Sequence, residues 1–419
     1  MKHTETGMIP DDWRVINLGE VGTVKMCKRV MKEQTSEYGE IPFYKIGTFG
    51  KSPDAFISKK LYTYLKENYS FPKKGDALIS AAGTIGRTVI YDGKDAFFQD
   101  SNIVWLDNDE SVISNKYLYY LYQIVQWKTE NGGVVSRLYN GIFNSTKVPL
   151  PPTMEEQQKI AKVLGNIDNT INALEKLIEK KKNIKQAAMQ HLLTGKKRLP
   201  GFAKSAALKQ TPIGQIPDDW EIINISKNCI IKARIGWQGL KSDEYLDSGN
   251  YILITGTDFE NGFINWKSCS YVSEWRFKQD KNIQIKKGDV LITKDGTIGK
   301  VAFLNEVPMQ GTLNSGIFVV RPKDLKKINA VFLSIIFKSF WFANFLEQIT
   351  SGSTIVHLYQ KDFVKFNFPV PCIKEQTAIA EVLSDMDSEI SALEQKLSKY
   401  KNLKAAMASQ LLTGRIRLK

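Results

Sequence analysis

Few residue combinations in this sequence of 419 residues could support catalysis. Nucleotide hydrolysis needs a glycine-rich loop that wraps phosphate, and the segment GTIGK at 296–300 ends like such a loop. The pattern also requires glycine at position 294, where the sequence has Lys294. The segment GKS at 50–52 fails in the same way because position 45 is Lys45. We therefore expect no nucleotide-binding loop at either place.

Other catalytic patterns are also missing from the sequence. The three histidines, His3, His191 and His357, form no HExxH zinc motif. There is no nucleophile elbow, no dinucleotide-binding glycine fingerprint and no (D/N)PP(Y/F) tetrapeptide of adenine methyltransferases. Catalysis needs an acid, a base and a nucleophile brought together, and the sequence provides no recognisable set. We therefore predict that the chain is not an enzyme.

The cysteines point to a reducing environment. They are widely spaced and never form a CxxC pair, which argues against a structural metal. No basic and apolar leader precedes the first domain, so we expect a cytoplasmic protein with four unreactive thiols. The four are Cys27, Cys229, Cys269 and Cys372.

The net charge of +14 suggests a polyanionic partner, and nucleic acid is the usual inference. Half of this excess lies in residues 153–210, which carry 12 basic and 5 acidic side chains. The lysines at 180–182 and 185 could equally form a solvated helix face, as charge runs usually do. Charge alone therefore leaves nucleic-acid binding an open alternative.

Four short motifs occur twice in the same order, which indicates a tandem duplication. The offset between the copies grows from 207 to 213 to 219 residues and then stays constant, so the insertions precede the last two motifs. A duplicated chain presents two similar binding surfaces related by an approximate two-fold axis. The motifs are IPDDW at Ile9 and Ile216, KKGD at Lys73 and Lys286, EQ at Glu156 and Glu375, and LLTG at Leu192 and Leu411.

A glycine loop follows each KKGD motif. The segments KKGDALISAAGTIGR at 73–87 and KKGDVLITKDGTIGK at 286–300 each predict a turn, a strand, a glycine loop and a second strand. The glycines permit positive φ and close approach, although tight hairpin glycines are at least as common as ligand contacts. The residues before the glycines change from SAA at 80–82 to TKD at 293–295. The repeated glycines would keep the shape of the loop constant, while the changed residues would let the two loops contact two different sequences.

Each copy combines strands with helices, which predicts mixed α and β domains. Runs rich in β-forming residues at 89–91 and 102–106 match runs at 301–304 and 317–320, and helical patterns follow at 115–127 and 329–347. The most apolar stretch, 330–346, is short for a bilayer and contains Lys338. It predicts a buried helix.

A long helix ends each copy. In the first copy Thr153 and Glu156 predict a capping box and Gly195 a C-terminal stop, whereas Cys372 replaces the cap residue in the second copy and Gly414 is the stop. Apolar residues recur in alternating steps of four and three, which predicts a coiled-coil seam on each helix. The seam residues are Ile160, Leu164, Ile167, Ile171, Leu174 and Ile178 in the first copy and Ile379, Leu383, Met386, Ile390, Leu393 and Leu397 in the second.

The seam of the first helix predicts a stutter beyond Ile178. A strict heptad would need Lys181 and Lys185 there, while the apolar residues are Ile184, Ala188 and Leu192. A helix of roughly 40 residues spans about 60 Å, and a compact domain cannot easily return the chain to its start. We therefore expect two antiparallel helices that form a rigid spacer with one domain near each end. Two unconnected helical hairpins are the alternative.

The ordered double set of motifs resembles the specificity subunit of type I DNA restriction–modification systems. The resemblance covers essentially the whole chain. It comprises the IPDDW opening, GD(A/V)LI with GTIG, a PLPP or PVP exit, the EEQ or KEQ helix start and the LLTG end. Small departures are Cys372 at the second helix cap and GGVVSRL at 132–138, where the second copy has SGSTIVHL at 351–358.

This resemblance implies an α+β fold with pseudo-two-fold symmetry. Each of two target-recognition domains would read one half of an asymmetric, interrupted site in double-stranded DNA. The long helices would set the spacing and dock two methyltransferase subunits. The implied domains are target-recognition domains at 1–152 and 211–372, spacer helices at 153–198 and 373–419, and a linker at 199–210.

The chemistry implied by the resemblance belongs to the partners. The methyltransferase subunits would bring S-adenosylmethionine and methylate adenine, and separate translocase-nuclease subunits would cut unmodified DNA. This chain would bind no cofactor or metal and no membrane.

Loop position and side-chain type select candidate DNA contacts. Reading of the major groove uses side chains such as Lys or Arg for guanine and Asn or Gln for adenine, and contacts to phosphate set the register. For any one residue a structural or solvent-exposed role is the commoner alternative. The candidates are Ser80, Thr84, Arg87 and Arg137 in the first domain and Thr293, Lys294, Thr297, Lys300 and His357 in the second.

Two other functions remain compatible with the sequence. The chain could be a coiled-coil assembly scaffold that does not read DNA. It could also be the recognition subunit of a related system in which modification and cleavage are organised differently.

Overall fold

The computed structural model of the protein describes residues 1–127, 137–203, 205, 207–350 and 357–418. The differing segments GGVVSRL and SGSTIVHL lie mostly outside these residues, as do two positions of the predicted linker. The strands of the first copy are β1 (Lys2–Thr4), β2 (Gly7–Ile9), β3 (Arg14–Asn17), β4 (Thr23–Met26), β5 (Ile41–Tyr44), β6 (Phe56–Ile57), β7 (Ala77–Ser80), β8 (Thr88–Ile90), β9 (Phe97–Phe98), β10 (Ile103–Asp107) and β11 (Lys147–Leu150). Its helices are α1 (Lys59–Asn68), α2 (Asn115–Ile124), α3 (Asn140–Ser145) and the long α4 (Met154–Leu193).

The second copy contains the corresponding strands in the same order and one further hairpin. Its strands are β12 (Leu208–Thr211), β13 (Gly214–Pro217), β14 (Glu221–Asn224), β15 (Cys229–Ala233), β16 (Ile252–Ile254), β17 (Phe259–Glu260), β18 (Phe263–Ile264), β19 (Ser270–Tyr271), β20 (Val290–Thr293), β21 (Val301–Phe303), β22 (Gly311–Leu313), β23 (Ile317–Pro322) and β24 (Asn367–Val370). Its helices are α5 (Ile225–Asn228), α6 (Glu274–Lys278), α7 (Ala330–Phe337), α8 (Phe340–Thr350), α9 (Gln360–Phe363) and the long α10 (Ile373–Leu411). The predicted α+β class is confirmed.

The sheets of the two copies have the same topology. Each copy has an antiparallel four-stranded sheet, in the order β4-β10-β7-β8 or β15-β23-β20-β21. Each also has a three-stranded sheet with one parallel pair, in the order β6-β5-β9 or β19-β16-β22. The pairs β3–β11 and β14–β24 correspond, as do the hairpins β1–β2 and β12–β13. The hairpin β17–β18 belongs to the second copy and falls where the sequence offset grows.

Both faces of each four-stranded sheet are covered, which explains why its central strands are buried along most of their length and are mainly apolar. On β7, Leu78 packs into one core with Phe97 and Trp105, while Ala77 and Ile79 pack into a second core. The second copy repeats this division on β20. The second core of each copy also includes residues from both long helices, so the domain and the spacer share a core.

The apolar stretch 330–346 forms two helices, not the single buried helix predicted. Helix α7 ends at Phe337 and α8 begins at Phe340, and all of α7 from Phe332 to Phe337 is buried. Among the described residues, no one helix has both the length and the apolar character to cross a membrane. Within the part of the chain that the structure describes, one pair of helices, α7 and α8, reaches that length and apolar character when taken together, and the pair is bent by 50°.

The chain forms two compact units, and each contains parts of both long helices. The first unit comprises residues 1–176 and 394–419, and the second comprises 177–393. Each long helix therefore begins in the unit of its own copy and ends in the other. Helices α4 and α10 have 40 and 39 residues, as predicted.

The long helices run antiparallel within each unit. In the first unit Lys401 pairs with Glu175 and Lys404 with Asp168, with N···O distances of 2.7 Å in both cases. In the second unit α4 supplies the lysines instead. Lys181 pairs with Glu389 at 2.7 Å, and Lys185 contacts Asp387. In both units, residues further along α4 pair with residues earlier in α10. This order confirms that the two helices are antiparallel, as predicted.

The predicted stutter in α4 is wrong. Ile184 is 44% exposed and lies outside the seam, whereas Lys181 and Lys185 are half-buried at the seam positions of the strict heptad. Their aliphatic stems cover the apolar surface while each ammonium group reaches a carboxylate of α10. The prediction failed because a pattern of apolar and polar residues treats the whole lysine side chain as polar, including its aliphatic stem.

Two arginine clusters join the repeated motifs. In the second unit the guanidinium of Arg198 donates to both carboxylate oxygens of Asp219, at 2.8 and 2.9 Å, and of Glu375, at 2.6 and 2.7 Å. These two carboxylates hold the pKa of Arg198 above its usual value. The guanidinium also lies 5.4 Å from the ring centroid of Trp220. The IPDDW, EQ and LLTG regions therefore meet at one cluster of two ion pairs, which we call the Arg198 clamp.

The first unit has an equivalent Arg417 clamp. Arg417 donates to both oxygens of Asp12, at 2.8 and 3.0 Å, and of Glu156, and it lies 5.7 Å from the ring of Trp13. This arginine holds the pKa of Asp12 below its usual value. Thr153 caps α4 through Glu156 N at 3.2 Å, but the carboxylate of Glu156 faces the clamp, so only half of the predicted capping box forms.

The neighbouring glutamine of each EQ motif connects the spacer to the domain. Gln157 accepts from Ser114 N at 2.9 Å and donates to Val112 O at 2.9 Å, just before α2. Gln376 makes the same pair of bonds with Asn329 N and Lys327 O before α7. Both glutamines are 1% exposed. The start of each long helix is thus tied to the helix that covers the four-stranded sheet of its own copy.

Candidate nucleic-acid interface

A buried hydroxyl closes each glycine loop. In the first copy Ser80 Oγ donates to Thr84 O at 2.6 Å and accepts from Arg87 N at 2.8 Å. In the second copy Thr293 Oγ1 donates to Thr297 O at 2.6 Å and accepts from Lys300 N at 2.9 Å. Both hydroxyl residues are 1% exposed. The predicted DNA contacts Ser80 and Thr293 are thus placed inside their loops, and their hydroxyls bind loop backbone instead of facing solvent.

The glycines of each loop have distinct roles. All four lie at positive φ, between 64° and 90°. A Cβ on the second glycine would meet Trp127 at 2.9 Å in the first copy and Leu346 at 2.4 Å in the second. A Cβ on Gly83 would have its nearest neighbour at 3.7 Å, and one on Gly296 would have none within 4 Å. Gly86 and Gly299 are therefore required by the packing of the hairpin, whereas Gly83 and Gly296 lie at its open tip.

The segment before α3 or α9 packs against the same loop. Leu138 N donates to Ala81 O at 2.8 Å, and Leu358 N donates to Lys294 O at 2.9 Å. This pairing places Arg137 and His357 beside the loop tips, although each lies more than 50 residues further along the chain. The predicted candidates from two separate motifs therefore converge in each copy.

The candidates of the first copy differ in accessibility. Thr84 is exposed at the tip. Arg87 is half-buried and donates from Nη1 to Phe49 O at 3.0 Å. Arg137 donates from Nη2 to the side chain of Asn102 at 3.1 Å. The two arginines are thus held in place by neighbouring loops, and Asn102 is a member of the site that sequence reasoning missed.

In the second copy Thr297 and Lys300 are exposed. Lys294 and His357 are both bound to one carboxylate, that of Asp295. Lys294 Nζ lies 3.0 Å from Asp295 Oδ2, and His357 Nδ1 contacts Asp295 Oδ1. Asp295 was also missed, although its position in the varied TKD tip could have revealed it.

The second loop borders a polar cleft of about 420 Å³. The facing wall is a turn after β16, in which Asp258 Oδ2 accepts from Thr255 N at 2.7 Å. Most of its lining residues carry a hydroxyl, carboxylate or amide group, and Lys300 is also among them. Its described lining residues include Thr255, Thr257, Asp258, Ser268, Asp295 and Asn314.

The KKGD motif builds the turn before each loop. Asp76 Oδ2 accepts from Lys73 N at 2.7 Å, and Asp289 Oδ2 accepts from Lys286 N at 2.8 Å. Burial raises the pKa of Asp76. Asp289 also accepts two bonds from Arg321, at 2.7 and 2.8 Å. The repeated residues of this motif support the loops instead of facing a ligand.

The described residues show no metal-like cluster of three His, Cys, Asp or Glu side chains. Three of the cysteines are buried, and burial raises the pKa of each thiol to about 12, so these thiols are unreactive near neutral pH. Cys372 is exposed.

Removing the loop hydroxyl should loosen the second loop without altering its shape. Thr293→Val keeps the volume but removes a buried donor and acceptor, so we expect the loop to lose about 1–3 kcal/mol of local stability. Hydrogen exchange at the amide of Lys300 measures this loss. Thr297→Val, which changes an exposed side chain of the same loop, is the control. Equal exchange rates in the two variants would contradict the assigned role of the hydroxyl.

The fold and the two loops define a duplicated two-domain protein, with one glycine loop in each half and long helices that end each half. The sequence model of the type I restriction modification DNA specificity domain matches residues 10–186 and again residues 217–400. The chain belongs to this family: it is a type I restriction–modification specificity subunit with two target-recognition domains.

Named relatives agree with this assignment. The putative type I restriction enzyme MjaX specificity subunit of Methanocaldococcus jannaschii is 27% identical over 100% of this chain and 97% of its own length. A putative subunit of Haemophilus influenzae, S.HindORF215P, is 55% identical over 161 residues, which are 38% of this chain and 42% of that relative.

Solved structures share the fold. The S subunit of a type I restriction-modification system from M. genitalium superposes with a TM-score of 0.62 over 98% of both chains at 16% sequence identity. A chain from a study of complex assembly and conformational transition of the type I system has a TM-score of 0.55 over 98% of this chain and 100% of its own, at 18% identity.

Proposed function

We propose that this chain is the non-catalytic sequence reader of a type I restriction–modification complex, in which each recognition domain reads one half of an interrupted, asymmetric DNA site. The observation that carries the proposal is the pair of equivalent glycine loops. Their frames are held by the same hydrogen bonds, whereas their tips present different side chains. One scaffold therefore displays two different sets of donors and acceptors.

The division between repeated and varied residues supports this proposal. The repeated motifs form turns, clamps and helix connections inside the protein, and they account for the fold of both copies. The varied residues lie at the loop tips, where Arg137 in one domain corresponds to His357 in the other. Base edges in the major groove are read by such polar side chains, while Lys and Arg contacts to phosphate set the position.

The partners follow from the same proposal. Two methyltransferase subunits dock on the long helices and supply S-adenosylmethionine and adenine methylation, and translocase-nuclease subunits cut unmodified DNA. The chain itself binds no cofactor and works in the cytoplasm. The presence of both long helices in each unit supports two equivalent docking places, because each unit presents the first part of one helix beside the last part of the other.

Exchange of one recognition domain tests the proposal. Residues 1–152 are replaced by the corresponding domain of another family member, and the chimera is produced with its methyltransferase partner. We expect one half-site of the methylated motif to change, with the other half-site and the gap unaltered. Sequencing of methylated genomic DNA gives the motif.

A matched chimera with residues 211–372 exchanged should change the opposite half-site. A change of both half-sites by either exchange would contradict independent reading. Gel shifts of the complex at several salt concentrations separate this function from that of a scaffold that does not bind DNA, because phosphate contacts weaken as salt rises.

A further inference from the structure

The loop tip of the second copy contains a charged cluster that replaces apolar residues of the first. Lys294 and Asp295 stand where the first copy has Ala81 and Ala82. Lys294 and His357 both pair with the carboxylate of Asp295, one at each oxygen. The frame of the loop is the same in both copies, so this cluster is a difference in surface chemistry and not in fold.

The carboxylate is the most accessible member of the cluster. The side chain of Asp295 is 39% exposed, compared with 14% for Lys294 and 26% for His357. Lys294 Nζ lies 6.0 Å from the ring centroid of Phe318, and the ring of His357 lies 4.2 Å from that of Tyr359. Lys294 and His357 are therefore packed against aromatic side chains, while Asp295 lines the polar cleft.

We propose that Asp295 is a specificity-determining residue of the second recognition domain, and that its carboxylate accepts a hydrogen bond from the exocyclic amino group of a cytosine or adenine in the second half-site. The inference rests on the proposed function. In the major groove cytosine N4 and adenine N6 donate, whereas guanine and thymine present acceptor oxygens. An ionised carboxylate can only accept hydrogen bonds. It therefore favours cytosine or adenine at this position and disfavours guanine or thymine.

Lys294 and His357 act as positioning residues. A carboxylate brought to DNA faces the repulsion of the phosphates, and the adjacent ammonium group offsets that charge. The two contacts also fix the carboxylate in one orientation, which directional hydrogen bonding to a base requires. Each oxygen retains a lone pair for a base after it has accepted one bond from the protein.

The test uses the full chain produced with its methyltransferase partner, and the readout is the methylated motif. With Asp295→Ala we expect one position of the second half-site to accept further bases, with a loss of discrimination of roughly tenfold or more. The first half-site should remain strict. An unchanged second half-site with Asp295→Ala would overturn the inference.

Asp295→Asn keeps the shape of the side chain and adds a donor. Because asparagine pairs well with adenine N6 and N7, we expect this variant to shift the same position towards adenine. If both variants abolish methylation altogether, the cluster is structural and the inference is overturned. A failure of the proposed function would give a different result. The chimeras with an exchanged recognition domain would then methylate the same motif as the original chain.

Two matched substitutions assign the roles of the neighbours. Lys294→Ala should relax the same position as Asp295→Ala, and the double variant should be no more relaxed than Asp295→Ala alone, while Lys294→Arg restores the strict motif. Lys300→Ala removes an exposed cation of the same loop, and as a phosphate contact it should weaken binding to all sequences without relaxing either half-site. If Lys300→Ala relaxes the same position of the second half-site, then Lys300 reads the base, and the assignment of that role to Asp295 is contradicted.

Discussion

Arg198→Met should destabilise the second unit by about 3–5 kcal/mol, because it leaves a buried carboxylate without its partner. Glu375 is 1% exposed and the side chain of Arg198 is 8% exposed, so the charge of Glu375 has little access to water once the guanidinium is gone. The substitution also removes both bonds to Asp219 and the contact with Trp220. Hydrogen exchange of peptides from 211–230 in the full-length chain measures the local loss, since two units need not unfold together.

A second substitution separates the charge effect from simple loss of contacts. Adding Glu375→Gln to Arg198→Met replaces the unpaired carboxylate by a neutral amide, so we expect the double variant to regain part of the lost stability. A double variant as unstable as Arg198→Met would contradict the buried-charge explanation.

Arg417→Met makes the same change in the first unit, where the effect should be smaller. The side chain of Arg417 is 25% exposed and that of Glu156 is 8% exposed, so water can stabilise the orphaned carboxylate more effectively. The matched pair therefore tests whether the cost follows burial. If Arg417→Met destabilised the first unit while Arg198→Met left the second unit unaffected, the idea that the cost follows burial would be contradicted.

Insertion of one heptad into both long helices should lengthen the unread gap of the DNA site by about three base pairs. Seven residues add about 10.5 Å to a helix, and base pairs are spaced about 3.4 Å apart. The seam continues unbroken in α4 and α10, so a heptad placed after Ile178 and after Leu397 keeps every later residue on the same face. The half-sites should stay unaltered because neither loop changes.

The methylated motif gives the outcome directly. An unchanged gap with both insertions would contradict the idea that the helices set the spacing. Insertion into α4 alone is the control: it offsets one seam against the other and separates lysines from their carboxylates, such as Lys404 from Asp168. We expect this chain to lose activity, not to read a longer gap.

Much of the architecture was predictable because it depends on local patterns. The long helices, their antiparallel direction, the strands beside each glycine loop and the glycine stops are confirmed. Periodic apolar residues specify which face of a helix is buried, and positive φ selects glycine. The duplication adds power, because a pattern that occurs twice in order is unlikely to arise by chance.

The candidate site was harder to predict because it depends on pairs of distant residues. Arg137 and His357 lie more than 50 residues beyond the glycine loops, and the bonds from Leu138 and Leu358 bring them to those loops. Ser80 and Thr293 carry hydroxyls that could contact DNA, but both residues are buried inside their loops. Whether any candidate touches a base stays a prediction.

The amino-acid sequence by itself determined the duplication, the fold class and the family, because these follow from repeated motifs and short-range periodicity. Only the tertiary structure decided the roles of single polar residues. Arg198 and Arg417 belong to none of the repeated motifs, and Lys181 and Lys185 interrupt the apolar pattern of the seam. The folded chain places carboxylates within 3 Å of Lys181 and of both arginines, and against Lys185. A charge acquires a structural role from the partner that faces it, and that partner is fixed by packing between segments far apart in the chain.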